Sequence, residues 1–472
     1  MNADVLLTAL TELLGPRGIL TNPKDTESYD TDWREIFHGK SLAVIRPANT
    51  EEVAKAVYLC AKHNVAIVPQ GGNTSLVGGA TPSADGSQIV LNLSRLKQIR
   101  SIDPIDRTMI IESGVTLEEA QNAAKQAGLY LPIVISSQGS AQIGGIIATN
   151  AGGNNTLRYG NTREFVLGLE IVTADGHILH NLRRLRKDNT GYALRQLFIG
   201  SEGTLGIITA AVLQLHPQPH SIEVAFCALP DLDKALELLN LFHNHNPAAL
   251  QAFEFISQTG MDLVCSQFDD IQFPLENKGP VYILVELALP DKGNGLRQLL
   301  ESVLEQAFEK EIVIDAIIAE SETQQQKLWR LREEQSESQK RAGANIKNDV
   351  SVPISHIPEL IKRATSACER ICPGIRVAPF GHLGDGNIHL NLVQPLDGDP
   401  TAFMAQDHEL MDAVSQVVFD LEGSFSAEHG VGQLKNYMMT SWRGGTELEL
   451  MRKIKQALDP KNILNPGKIF PE

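Results

Sequence analysis

Residues 69–80 read PQGGNTSLVGGA and follow directly on the apolar run VAIV at residues 65–68. A short strand thus empties into glycine pairs set among small polar side chains. Glycine reaches positive φ without strain and lets backbone N–H groups come close to a ligand. Successive exposed N–H groups form a nest suited to pyrophosphate. Two more segments share this character: GSAQIGGIIATNAGGNNTLRYGNTRE at residues 139–164 and FIGSEGTLGIIT at residues 198–209. None continues into the Gly-Lys-Ser/Thr of a P-loop, and none has dinucleotide-fingerprint spacing between a strand and a helix. One such segment alone reads better as tight turns and bulges. Three in one region, each bounded by apolar strands, favour a cradle for a large dinucleotide.

Around these segments the pattern is α+β. SLAVIRP at residues 41–47 predicts a strand closed by Pro47. Thr50 is the expected cap of the next helix, with Glu51 and Glu52 in its first turn. Val53, Val57, Cys60 and Ala61 share one face of that helix. Thr116 and Glu119 predict a capping box on a helix that stops near Gly128. EFVLGLEIVTADGHILHNL predicts a hairpin turning at Asp175-Gly176. After Pro217 the rhythm changes. Strand-like SIEVAFCAL, ALQAFEFIS, PVYILVELAL and IVIDAIIA alternate with helical LDKALELLNLFHNH and a helix around Leu296 to Phe308. Two β-α-β units in series predict a ferredoxin-like sheet covered by helices. Later helices are expected near 321–344, 356–371 and 401–421.

The chain has 472 residues, long enough for two domains, with a globular 42% hydrophobic and 21% charged composition. Its formal net charge of -16 argues against nucleic acid as a partner, because phosphate binding needs a basic footprint. An anionic small substrate remains compatible through a local cationic pocket. Five cysteines (Cys60, Cys227, Cys265, Cys368 and Cys372) form no CxxC pair and point to a reducing, cytoplasmic compartment. The N-terminal MNADVLLTALTELLG reads as a short amphipathic helix, not a signal peptide. No segment has the length of an integral membrane span.

Chemistry concentrates in the second half. In PFGHLGDGNIHLNL, residues 379–392, Asp385-Gly386 is a favoured two-residue hairpin turn. That turn would set His382 opposite His389, with Cβ atoms close enough for two imidazoles to share a metal. Alternation places His382, Asn387, His389 and Asn391 on one face and Leu383, Ile388, Leu390 and Leu392 in the core. In SAEHGVGQ, Glu428 and His429 are neighbours, and Gly430 and Gly432 permit an irregular backbone that brings both to one site. A His, His, carboxylate set suits Zn²⁺ with open positions, and the ligand types also admit Mn²⁺ or Fe²⁺. A salt-bridged surface loop is the competing reading. Arg332 and Ser336 are one helical turn apart in WRLREEQSESQKRAGANIKNDVSVPI, and Lys347 precedes a strand. Arg and Lys in this pattern are natural carboxylate holders. Glu333, Glu334, Glu337 and Lys340 read as a solvated face.

Taken together, PQGGNTSLVGG, IGGIIATNAGG, RYGNTREFVLGLEIVTADG, KDNTGY (Lys187 to Tyr192), LFIGSEGTLGIIT and the terminal ILNPGKIF resemble the vanillyl-alcohol oxidase / p-cresol methylhydroxylase family of FAD proteins over nearly the whole chain. The resemblance implies a two-subdomain FAD-binding fold of the p-cresol methylhydroxylase type plus a ferredoxin-like α+β substrate domain with a helical C-terminal part. The expected boundaries are a helical extension at 1–38, an FAD-binding domain at 39–218, a substrate and metal domain at 219–435, and a segment returning to the flavin at 436–472. It implies that Pro69, Gly71, Gly72, Asn73, Thr74, Gly78 and Gly79 hold the pyrophosphate. Gly139, Ser140, Gly144, Gly145, Asn150, Gly152 and Gly153 would line the isoalloxazine and ribityl path. Gly206 and Ile207 would meet the adenine side, and Asn465 would return to the flavin. Neither of the first two glycine-rich loops contains a His or Cys to attach FAD covalently, so non-covalent FAD is expected.

The second half resembles D-2-hydroxyglutarate dehydrogenases, with their Arg, Ser/Thr and Lys followed by GHLGDGNxHLN and AEHG. That resemblance implies Arg332, Ser336, Lys347 and Asn391 as substrate binders, with His382, His389 and Glu428 as ligands of a divalent metal, Zn²⁺ first. His429 would be the catalytic base and touch substrate. Ser336 stands where some relatives carry Thr, which keeps the hydroxyl but alters the fit. The implied reaction is oxidation of a D-2-hydroxy acid to the 2-oxo acid, with D-2-hydroxyglutarate ahead of D-lactate or glycolate. Electron-transfer flavoprotein or a quinone is the implied acceptor; the sequence does not fix the oligomeric state and leaves a homodimer open. An ether-lipid synthase on the same scaffold ranks below, since no membrane-binding segment is evident.

Overall fold

A computed structural model describes residues 3–471, which divide into two compact units. The first comprises the chain as far as Gly153, Gly160–Gln218, and everything from Glu428 onward; the second comprises Asn154–Tyr159 and Pro219–Ala427.

In the first unit, strands Ser41–Ile45 and Ile67–Gln70 flank Gln88–Asn92, both in parallel, and Ile19–Leu20 adds an antiparallel edge. Helix Thr50–His63 buries Val53, Val57 and Cys60 on this sheet, as its 3.6-residue periodicity dictates. The N-terminal helix Ala3–Leu14 is not an appendage: Leu6, Leu10 and Leu14 join the same core. Asn49, not Thr50, caps Thr50–His63, accepting from the Glu52 N–H at 2.9 Å. Thr50 instead donates to the buried Glu170 carboxylate at 2.7 Å. The capping box of Thr116 and Glu119 forms as expected on Leu117–Gln126. A second, antiparallel sheet runs Ile99–Asp103, Thr108–Glu112, Ile207–Gln214, Val166–Val172, Ile178–Asn181. Its last two strands turn through Gly176 at φ 83°.

The second unit is built on an eight-stranded sheet. Its first four strands in the chain, Ser221–Leu229, Leu250–Ser257, Val281–Leu289 and Asp315–Ile318, lie in the spatial order fourth, first, third, second. All pair antiparallel, the ferredoxin-like arrangement. Leu250–Ser257 continues the sheet into Arg376–His382 and Asn387–Val393. Two expectations change here. The hairpin turn is not two residues but a 3-10 turn at Leu383–Asp385, closed by Gly386 at φ 88°. His382 therefore faces Asn387, and His389 faces Phe380. The register slips by an even number of residues, so both histidines keep their shared face. The helix expected across 321–344 breaks at Glu334 into Glu322–Glu333 and Gln335–Arg341, with Arg332 and Ser336 on opposite sides of the break.

Candidate active site

The glycine-rich segments meet within the first unit. The amide N–H of Gly144 bonds to Ser113, and a Cβ on Gly72 would sit 1.9 Å from the Ser140 carbonyl oxygen. Gly153, at φ 132°, comes equally close to the Val134 carbonyl, and Gly206 packs on Ile171 and Phe198. These glycines are required by the chain's own packing. Gly71 and Gly139 are different: a Cβ on either would meet nothing nearer than 3.5 Å, and Gly145 faces open space within 4 Å. Gly145 lies in helix Ile143–Thr149, where glycine costs about 1 kcal/mol relative to alanine. No side chain or distant backbone comes within 4 Å of a Cβ placed there, which leaves room in front of Gly145.

Unmatched buried acceptors line the same walls. Gln142 Oε1 and Asn465 Oδ1 have no hydrogen-bond partner. Asn465, at φ 46°, holds its Nδ2 on the carbonyls of Gly79 at 2.9 Å and Glu202 at 2.7 Å. A Cβ on Gly71 would lie 3.6 Å from the unmatched Gln142 oxygen. Such acceptors, beside glycines with room in front of them, fit the N–H and hydroxyl groups of FAD. Asn73 and Asn150 play structural parts as well. Asn73 donates to Thr31 O at 2.8 Å, and Asn150 caps Ile143–Thr149 and accepts from the Arg163 N–H at 2.9 Å. Pro69 packs on Gly203, Gly78 turns at φ 67° against Phe37, and Ile207 and Gly152 are buried. Thr74 is half-buried in the first loop.

The chain after Glu428 is tied to this cradle. Glu202 accepts the N–H groups of Val431 at 2.7 Å and Gly432 at 2.8 Å. Gln433 donates to Gly78 O and Thr81 O. Burial pushes the Glu202 carboxyl above the usual range, against those two amides and Lys435. Glu428 and His429 sit at the head of this loop, 3.8 Å apart and about four-fifths buried. They follow immediately on Ala427, whose N–H bonds the Asp349 carbonyl in the second unit at 3.2 Å.

In the second unit, the hairpin Arg376–His382/Asn387–Val393 turns His382, Asn387, His389 and Asn391 to one buried face. The rings of His382 and His389 lie 5.6 Å apart, centre to centre. Strand Asp349–Ser351 sets Asp349 directly across from His389, with 3.6 Å between carboxylate and Nδ1. Asn387 donates to Asp349 at 2.9 Å, and Asn391 to Gln339 at 2.8 Å. Arg332 is buried and bonds Glu254 through Nε at 2.6 Å. Glu254 also meets His382 Nδ1 at 2.8 Å. Burial alone would raise the Glu254 carboxyl, but His382 and Arg332 outweigh it and hold it at about 2. Ser336 and Lys347 are half-buried. Sequence reading missed Asp349 and Glu254. The alternation of DVSVP beside the His-rich hairpin could have flagged Asp349. For Glu254 the available signal is its place as the lone acid in an apolar strand.

The chain matches two family models: the FAD binding domain over residues 41–181 and the C-terminal domain of FAD linked oxidases over residues 218–469. It is 37% identical over 467 residues to a D-2-hydroxyglutarate dehydrogenase of Xanthomonas citri pv. viticola, covering 99% of this chain and 97% of that protein. It is 36% identical over 461 residues to a putative mitochondrial D-lactate dehydrogenase of Schizosaccharomyces pombe, covering 95% of this chain and 85% of that protein. The fold is that of p-cresol methylhydroxylase, solved with substrate bound. The match has a TM-score of 0.77 at 18% identity and covers 99% of this chain and 97% of that one.

Proposed function

This chain belongs to the FAD-linked oxidase family and is an FAD-dependent oxidoreductase, and on that premise we propose that it oxidises D-2-hydroxyglutarate to the 2-oxo acid. The observation that carries the reading is full-length similarity to D-2-hydroxyglutarate dehydrogenases in a chain whose second unit buries a His382, Asn387, His389, Asn391 face beside Arg332. Flavin binding is assigned to the glycine-rich walls of the first unit.

The proposed metal ligands are His382, His389 and Glu428, and within the second unit Asp349 lies 3.6 Å from His389 Nδ1. Two of the three ligands are imidazoles and one a carboxylate, a donor set suited to Zn²⁺. Bound FAD supplies the acceptor for the α-hydrogen and its electron pair, and a bound divalent ion supplies Lewis acidity at the α-hydroxyl. His429 accepts the hydroxyl proton. Arg332 and Lys347 attract the substrate carboxylates, and Ser336 and Asn391 fix their orientation by hydrogen bonds. The proposed external acceptor is an electron-transfer flavoprotein or a quinone. Five cysteines without disulfides support a cytoplasmic setting. Among the described residues no helix is long and apolar enough to cross a membrane.

D-lactate is the second reading, favoured by the name of the Schizosaccharomyces pombe relative. Anaerobic reduction of the bound flavin by a panel of D- and L-2-hydroxy acids separates the two. D-2-hydroxyglutarate should bleach the flavin fastest and its L-enantiomer should not. Faster bleaching by D-lactate replaces the first reading with the second.

A further inference from the structure

Glu254 stands in the middle of strand Leu250–Ser257 with 1% of its surface exposed. A lone carboxylate in such a strand is costly unless it is paired and fully hydrogen-bonded. Strand pairing supplies one partner, because His382 is directly across from Glu254. The other arrives from helix Glu322–Glu333, whose Arg332 reaches the same carboxylate. Each oxygen has its own partner: Oε1 faces His382 Nδ1 at 2.8 Å, and Oε2 accepts Arg332 Nε–H at 2.6 Å. Arg332 Nη2 lies 3.4 Å from His382 Nε2, and the guanidinium sits over the Phe380 ring at 4.8 Å. Phe380 in turn packs against His389, with ring centres 4.9 Å apart.

We infer that Glu254 is a positioning residue that locks a metal ligand and a substrate anchor into one assembly. The inference rests on the metal reading of His382 given above. A carboxylate at Nδ1 keeps the proton on that nitrogen and leaves the lone pair on Nε2, which faces Arg332 Nη2 at 3.4 Å here and is the nitrogen that would ligate a bound ion; such outer partners orient ligating histidines. The bond to Nε of Arg332 uses the inner edge of the guanidinium and presents its terminal nitrogens as the fork for an incoming carboxylate. One buried acid therefore sets both the tautomer of His382 and the direction of Arg332.

Glu254→Gln tests this. An amide replaces one of the two acceptor oxygens with an NH2 group, so in this geometry it cannot accept from both Nδ1–H and Nε–H. Keeping the bond to Arg332 turns the amide N–H toward Nδ1 and moves the imidazole proton to Nε2, where it blocks ligation. Zn²⁺ affinity of metal-stripped, FAD-loaded protein is read by competition with a chromophoric chelator, alongside flavin absorbance and KM for D-2-hydroxyglutarate. The expected result is a loss of about 10–100-fold in Zn²⁺ affinity, with a raised KM and unchanged flavin content. Glu254→Asp keeps the charge and covers a folding failure of the amide variant; it should lose less affinity than Gln. Glu286→Gln is the control. Glu286 is a second buried acid of the same sheet, bonded to Trp329 and Gln251 rather than to His382, and its loss should leave Zn²⁺ affinity unchanged. Wild-type affinity in both Glu254 variants overturns the inference and leaves the metal reading standing. A wild-type protein that takes up no divalent ion overturns both.

Discussion

Gly145→Ala should stabilise the flavin-free protein and weaken its hold on FAD, two effects of opposite sign from one methyl group. The first follows from the backbone. Gly145 is inside helix Ile143–Thr149, and its added Cβ meets no atom within 4 Å. Alanine there recovers helix propensity of about 0.5–1 kcal/mol, which raises the melting temperature of the flavin-free protein by about 1–3 °C. The second follows if the open space belongs to the cofactor. A methyl pushed into an occupied, well-packed contact costs about 1–3 kcal/mol, a loss of about 5–150-fold in FAD affinity. The assay is a thermal melt of protein stripped of flavin, with FAD titrated back and followed by quenching of its fluorescence. A stabilised variant that binds FAD as tightly as wild type would refute the assignment of this space to the flavin. A destabilised flavin-free variant would refute the reading that the chain leaves room at Gly145.

Other consequences are equally direct. Glu170→Gln removes a buried carboxylate that accepts from Thr50, Thr209 and Arg100, and should cost about 2–4 kcal/mol at pH 7, read from urea midpoints. Burial opposes its ionisation, yet Arg100 and the two hydroxyls hold the Glu170 carboxyl at about 2. A depressed acid adds stability above its ordinary range near pH 4.5 and loses it as pH falls toward 2, so the gap between wild type and variant should narrow over that window. His429→Ala should lower kcat by about 10²–10⁴-fold at unchanged flavin content, measured by stopped-flow flavin reduction. Prolonged chelation should abolish turnover, and Zn²⁺ should restore it, with metal content followed by elemental analysis; full activity in metal-free protein would remove the ion from the mechanism.

Local pattern made the elements legible. The strands around each glycine-rich loop, the capping box at Thr116 and the ferredoxin-like order all follow from period, turn residues and caps, which act between near neighbours. The shared face of His382 and His389 was legible for the same reason: strand alternation survives an even slip of register, so the face held while the opposing residue changed from His389 to Asn387. The capping role of Thr50 was misplaced by one residue because a side chain far along the chain, Glu170, claims its hydroxyl.

The sequence by itself determined which segments could be strands or loops, and which residue types could bind flavin, metal or carboxylate. Those properties reside in each residue's backbone freedom and side-chain chemistry. Tertiary structure alone decided that Glu254 joins Arg332 to His382, that Asp349 lies across from His389, and that Asn465 returns to Gly79. Pairings between residues tens to hundreds of positions apart depend on how sheets and helices pack. No local spacing encodes that packing, and it is the burial it creates that makes an isolated acid such as Glu254 take two partners.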